Sequence, residues 1–140
     1  MQLLKIYYAY FSPGNTTEKV VSHIASSFQN YPVESINLTD YATRQEDYYF
    51  KENELLIIGV PAYGGRVPAP VVDALRHFTG SNTPVVLVAT YGNRDIDDTL
   101  IELKKNVIDK GFIPVGAASF VCQHTFLKEC AEGRPDEEDL

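Results

Sequence analysis

Two runs of this chain are hydrophobic over the full length of a strand, and they constrain the fold more than any other feature. They cover residues 54–60 (ELLIIGV), which Pro61 ends, and residues 84–90 (PVVLVAT). Strands this uniformly apolar belong in a parallel sheet that is covered on both faces. Because parallel strands need long crossover connections, we expect helices between them.

The rest of the chain alternates strand-like and helix-like segments around these two runs. Three further strands are predicted over residues 3–10, 33–38 and 112–121. Three helices are predicted over residues 16–28, 69–78 and 96–110. Residues 39–51 form either a short helix or a long loop. This alternation predicts one α/β domain with a five-stranded parallel sheet and right-handed crossovers.

The helix predicted over residues 96–110 has an apolar face and an acidic face. We expect its apolar side chains to point inward, namely Ile96, Leu100, Leu103, Val107 and Ile108. Asp97, Asp98 and Glu102 share a face that we expect to be solvated. The alternative for these acids is a weak cation site.

Composition and charge exclude several classes of function. The chain has 12 Lys and Arg against 19 Asp and Glu, a net charge of -7, so it lacks the basic surface that nucleic-acid binding needs. The longest apolar run, residues 55–63, is too short to span a membrane, and the N-terminus does not resemble a signal peptide. Two cysteines are too few for a disulfide framework, an iron–sulfur cluster or an all-cysteine zinc site. We expect a cytoplasmic protein that binds neither nucleic acid nor membranes.

The C-terminal residues read as the beginning of a helix. Pro135 follows Arg134 and precedes four acidic residues at 136–139, which is typical of a first helical turn. The sequence therefore predicts a single domain over residues 1–140, whose last helix is truncated or absent from about residue 135. Because such a truncation would leave part of one sheet face uncovered, we also expect that either homodimerisation or exchange of the tail covers it.

Three loops should meet at the carboxyl ends of the strands, where open α/β sheets bind their ligands. Residues 11–17 (FSPGNTT) join a strand to a helix, and they combine hydroxyls with free backbone N–H groups, which suits a phosphate. The alternative is a plain helix cap. The loop has neither the lysine of a triphosphate-binding loop nor a G-x-G-x-x-G motif. Residues 61–68 (PAYGGRVP) and 90–95 (TYGNRD) each contain Tyr-Gly, so they are either turns or walls for a flat ring.

These loops resemble those of the flavodoxin-like family. Residues 10–20 (YFSPGNTTEKV) are similar to the phosphate loop of short-chain flavodoxins. Residues 59–68, 89–94, 111–112 and 131–140 resemble more narrowly the flavodoxin-like domain of bacterial flavodoxin–ferredoxin fusion proteins. The resemblance covers nearly the whole chain. It implies a three-layer αβα sandwich with strand order 2-1-3-4-5 and non-covalently bound FMN.

The resemblance also implies which residues hold the cofactor, and it implies no catalytic or metal-ligating residue. The phosphate would lie on the first loop, at Ser12, Gly14, Asn15, Thr16 and Thr17. The isoalloxazine ring would lie against the second loop at Pro61, Ala62, Tyr63, Gly64 and Gly65, and against the third loop at Thr90, Tyr91, Gly92, Asn93 and Arg94.

The phosphate loop departs from the family pattern, which reads Ser/Thr-x-Thr-Gly-x-Thr. Aligned without a gap, Gly14 replaces the second threonine and Asn15 replaces the glycine. Asparagine tolerates the left-handed conformation that glycine usually supplies, so the turn survives with one phosphate hydroxyl fewer. A one-residue shift would instead match Gly14, Asn15 and Thr16 to the family's Gly-x-Thr.

The leading interpretation is an FMN-binding electron-transfer protein whose redox partner is ferredoxin-like or a reductase. The alternatives are an FMN-dependent NAD(P)H oxidoreductase with a quinone-type acceptor, and a degenerate apo interaction module. Arg66 or Arg94, within about 6 Å of the ring's N1 edge, would stabilise the fully reduced, anionic ring. Otherwise both arginines are surface residues paired with Asp73 or Asp95.

Overall fold

The computed structural model describes residues 2–63, 65–91 and 97–121, which form seven strands and four helices. The strands are β1 (Lys5–Tyr10), β2 (Val33–Asn37), β3 (Tyr48–Tyr49), β4 (Glu54–Pro61), β5 (Phe78–Thr79), β6 (Thr83–Tyr91) and β7 (Phe112–Val121). The helices are α1 (Thr16–Ala25), α2 (Tyr41–Arg44), α3 (Ala69–Leu75) and α4 (Asp97–Asp109).

The five longer strands form one parallel sheet in the order β2-β1-β4-β6-β7. Counted along the chain these are the second, first, third, fourth and fifth long strands, so the predicted 2-1-3-4-5 order is confirmed. The order in which strands are added to the sheet reverses after β2. As a result β2 lies on one side of β1 and β4 on the other. This switch point is where open α/β sheets bind ligands, at the carboxyl ends of the strands.

The central strand β4 is buried on both sides, as its uniform hydrophobicity predicts. Leu56 and Ile58 point into a core shared with α3 and α4, whereas Ile57 points into a second core beneath α1. All three side chains are fully buried. Each contributes about 1.5–3 kcal/mol by leaving water, and Ile57 is the one that packs beneath α1.

Residues 39–51 contain both a short helix and a strand. Asp40 caps α2, because its carboxylate accepts the Thr43 N–H at 2.9 Å. Strand β3 then pairs with β5 in a separate two-stranded sheet. The Phe78 ring lies 5.2 Å from Tyr48 and 5.4 Å from Phe50, so aromatic packing holds this small sheet together. Contacts between residues this far apart in the chain leave no periodic pattern in the sequence, so the small sheet could not be predicted.

Three predictions about the helices are wrong in detail. Helix α1 ends at Ala25 rather than residue 28. Helix α3 ends at Leu75 rather than residue 78, because Phe78 leaves the helix to pair in β5. Leu103 and Val107 of α4 are fully buried, but Ile108 is 49% exposed and does not point inward. None of the helices in the described ranges is long and apolar enough to cross a membrane. The predicted truncated helix near residue 135 lies outside the described residues.

Candidate functional site

A cleft of about 320 Å³ opens at the carboxyl ends of β1, β4 and β6. This volume lies at the lower end of the range for small-molecule sites. The residues that line it come from all three predicted loops and are Ser12, Pro13, Gly14, Thr16, Thr17, Pro61, Ala62, Tyr63, Thr90 and Tyr91. Predicted site residues Asn15 and Gly65 shape the backbone beside it, as described below. Gly64, Gly92, Asn93 and Arg94 lie outside the described residues.

The loop between β1 and α1 turns sharply at Asn15. The Asn15 N–H donates to the Ser12 carbonyl at 3.0 Å, which closes a four-residue turn. Asn15 has a φ of 68°, in the left-handed region, whereas Gly14 does not lie in that region. Asparagine is one of the few side chains that adopt this conformation readily. The residue that needs left-handed backbone is therefore Asn15, which favours the ungapped alignment of this loop.

Hydroxyl groups tie this loop to its surroundings. The Ser12 Oγ accepts the Glu18 N–H at 2.9 Å and so caps the first turn of α1. The Ser12 N–H donates to the Thr39 Oγ1 at 2.7 Å. The Thr17 and Thr90 hydroxyls lie 2.8 Å apart in a buried hydrogen bond between α1 and the end of β6. The phosphate-type loop is thus fastened to the third loop.

Two backbone donors at the start of α1 remain available. Within the described ranges, the N–H groups of Thr16 and Thr17 have no protein acceptor, and both residues line the cleft. The first N–H groups of any helix lack partners inside the helix, and the helix dipole makes its N-terminus positive. Together with the Ser12 O–H, whose oxygen already accepts a bond, these groups form a cradle for an anion.

The lining of the cleft carries no formal charge in the described part of the chain. Glu18, one residue beyond the loop, accepts a hydrogen bond from the Tyr10 hydroxyl at 3.3 Å. Burial raises the pKa of Tyr10 to about 12, and the negative charge of Glu18 adds to this effect. Tyr10 therefore stays a donor at neutral pH. Among the described residues, the groups that could hold an anion in this cleft are dipoles and hydroxyls.

The loop after β4 forms the opposite wall. The Ala62 N–H donates to the Thr90 carbonyl at 2.8 Å, and Tyr63 and Arg66 exchange two backbone hydrogen bonds of 3.0 Å. Gly65 lies inside this hairpin with a φ of 79°, which a residue with a Cβ rarely adopts. The Tyr63 ring packs edge-on against Phe11 with 6.3 Å between ring centroids. This packing leaves Tyr63 half exposed at the cleft.

Arg66 pairs with Glu102 of α4, at 2.9 Å between Nε and Oε1. Asp73, one of the two expected partners of Arg66, pairs instead with Arg76, at 3.8 Å between Asp73 Oδ1 and Arg76 Nη1. The Glu102 side chain is 25% exposed, so it is only partly solvated. A contact across 36 residues leaves no pattern in the sequence, and Glu102 was therefore missed as part of the site. Asp95 and Arg94 lie outside the described residues.

The chain is similar in structure to flavodoxins and other flavoproteins. A flavodoxin from the domain Archaea matches with a TM-score of 0.62 at 15% identity, covering 92% of both chains. A flavodoxin from Streptococcus pneumonia TIGR4 matches with a TM-score of 0.63 at 12% identity, covering 92% of this chain and 96% of that one. A flavoprotein in complex with FMN from Lactobacillus acidophilus NCFM matches with a TM-score of 0.60 at 15% identity, covering 91% and 99%.

No protein-family model and no curated protein matches the chain. At such low identities, likeness to solved structures establishes the architecture alone. The predicted flavodoxin-like fold is confirmed on these grounds.

Proposed function

We propose that this chain, which has the flavodoxin-like fold, binds FMN non-covalently and transfers electrons to or from a redox partner. The observation that carries the proposal is the position of the α1 N-terminus in the cleft. The N–H groups of Thr16 and Thr17 and the hydroxyl of Ser12 converge there, beside cleft walls whose described residues carry no formal charge. A phosphate needs such a cluster of donors, whereas an uncharged ligand does not.

The remaining walls fit a planar ring. Tyr63 and Tyr91 stand at the ends of β4 and β6, and Pro61 and Ala62 complete an apolar surface between them. Aromatic and small apolar side chains are typical of sites for flat ligands, with a few polar groups fixing orientation. A structural neighbour of this chain is described as a flavoprotein in complex with FMN, which further supports this cofactor.

FMN, when bound, supplies the electron-accepting chemistry, and the protein supplies binding, orientation and electrostatics. In this chain Ser12, Thr16 and Thr17 would hold the phosphate, while Tyr63 and Tyr91 would shield the ring from water. The chain would exchange electrons with a ferredoxin-like protein or a reductase, and we propose that it does so in the cytoplasm.

Titration of the apoprotein with FMN and with riboflavin tests the phosphate assignment. Riboflavin lacks the phosphate, so it cannot form the charge-assisted hydrogen bonds of the cradle. Because each such bond contributes about 1.5 kcal/mol or more, FMN should bind at least about a hundredfold more tightly than riboflavin. Flavin fluorescence quenching measures both dissociation constants.

Equal affinity for the two flavins would contradict the phosphate assignment. A protein that binds neither flavin would contradict the proposal that FMN is the cofactor. The loaded protein should also be reduced by NADPH only when a reductase is added. Rapid reduction by NADPH alone would indicate the other enzymatic interpretation, an FMN-dependent NAD(P)H oxidoreductase, instead of an electron carrier.

A further inference from the structure

A carboxylate of α4 fastens Arg66 and Val67, which follow the cleft wall at Ala62 and Tyr63. Glu102 lies in the second turn of α4. Its Oε1 accepts from Arg66 Nε at 2.9 Å and from the Val67 N–H at 3.0 Å. Its Oε2 accepts from Arg66 Nη2 at 3.3 Å. Three hydrogen bonds thus join one side chain of α4 to two consecutive residues of the loop.

This contact differs from an ordinary surface ion pair. Exposed pairs contribute little, because two long side chains must be ordered for an attraction that water screens. Here a backbone N–H also takes part, and it belongs to buried Val67. The hydrogen bonds from Arg66, with that of the Val67 N–H added, hold the pKa of Glu102 below its ordinary value. The ionised carboxylate is therefore the form that holds the loop.

The hairpin transmits this anchoring to the cleft. Arg66 exchanges both backbone hydrogen bonds with Tyr63, so fixing Arg66 and Val67 also fixes the Tyr63 backbone. The Tyr63 ring then rests on Phe11 at the mouth of the cleft. Helix α4 controls the position of Tyr63 in this way, although Glu102 itself does not line the cleft.

We propose that Glu102 is a positioning residue for the ring side of the cleft, and that it offsets the charge of Arg66 so that this cation does not act on a bound flavin. The inference rests on the proposed function for its effect on the flavin. Its effect on the loop is a property of the apoprotein and is measured separately.

The test in the apoprotein follows the amide resonance of Val67 against pH. As pH falls through the lowered pKa of Glu102, below its ordinary value of about 4.3, the carboxylate gains a proton and the Val67 resonance should move. The movement should be absent in Glu102→Gln, which keeps the shape but cannot titrate. Asp109→Asn, which removes an acid elsewhere on α4, is the matched control and should retain it. Asp98 also faces Arg66, so Asp98→Asn determines how much it adds.

The test in the FMN complex separates position from charge. Glu102→Gln should weaken FMN about threefold, the effect expected when one partly exposed ion pair is lost. Glu102→Ala removes every acceptor from the Val67 N–H and should weaken FMN about tenfold. Glu102→Gln leaves the Arg66 charge without its counter-charge and should raise the second midpoint potential of the flavin. The double variant Arg66→Ala/Glu102→Gln removes both charges and should return that potential close to the wild-type value.

A Val67 resonance that titrates identically in wild type and Glu102→Gln overturns the positioning role. A second midpoint potential that Glu102→Gln leaves unchanged overturns the charge role. If wild-type apoprotein shows the Val67 titration but does not bind FMN, the proposed function fails while the anchoring of the loop stands.

Discussion

Replacing Gly59 with alanine is expected to destabilise the protein by about 3 kcal/mol, the upper part of the range for overpacking a close-packed core. Gly59 lies in β4 directly beneath α1. A Cβ at this position would overlap Val21 Cγ1 and would lie 3.1 Å from Thr17 Cγ2. Helix α1 would have to move away from the sheet. The loss should appear as a lower urea midpoint with an unchanged m-value.

The same substitution should weaken FMN more than its effect on stability explains, because Thr17 belongs to the phosphate cradle and contacts the inserted methyl group. Val21→Ala removes the overlapping methyl, so it should partly rescue Gly59→Ala, although Val21→Ala alone leaves a small cavity. Gly116→Ala is the matched control, since its Cβ would approach only Val86 Cγ2, at 3.8 Å. Additive losses in the double variant would show that α1 does not pack against Gly59 as described.

Introducing threonine at Gly14 is expected to tighten FMN binding about tenfold, because a hydroxyl that reaches the phosphate would add a charge-assisted hydrogen bond. Gly14 lines the cleft, has no heavy atom within 4 Å of a Cβ position, and does not occupy the left-handed region. A Cβ at this position therefore meets no neighbour and needs no left-handed backbone. It would restore the hydroxyl that the flavodoxin pattern has at this position.

Gly14→Val separates the hydroxyl from the backbone effect of losing a glycine. Valine has the same shape as threonine and stiffens the unfolded chain similarly, but it cannot donate a hydrogen bond. Gly14→Thr should bind FMN more tightly than Gly14→Val, and both should bind riboflavin equally. If the two variants bind FMN with the same affinity, residue 14 does not face the phosphate.

The parts of the fold that could be predicted from the sequence are those that a short run of consecutive residues determines. The uniform burial of β4 followed from seven consecutive residues, and the parallel sheet followed from the alternation of strands with helices, whereas the order of the long strands came from the family resemblance. For the loop of Asn15 the sequence left two alignments open, and the positive φ at Asn15 rather than Gly14 favours the ungapped one. The meeting of three loops at one cleft followed from topology, since parallel strands end at the same edge.

What could not be predicted depends on side chains that meet across long stretches of chain. The β3–β5 pair rests on aromatic contacts between Tyr48, Phe50 and Phe78, and each strand is too short to show a period. The Glu102 carboxylate was expected in water because acids on a helix usually face solvent. Its role depends on Arg66 reaching α4, which only the packing of α3 and α4 against the sheet determines.

The most direct test of the central claim is a ¹H–¹⁵N map of the apoprotein titrated with FMN. We predict that the largest shifts fall on the amides of Gly14, Thr16 and Thr17 and on those of Ala62, Tyr63 and Tyr91, which together surround the cleft. Riboflavin should move the second group and leave the first nearly unchanged. FMN that leaves both groups unmoved, while shifting residues of another groove such as that of Tyr8, Phe28 and Val33, would contradict the account.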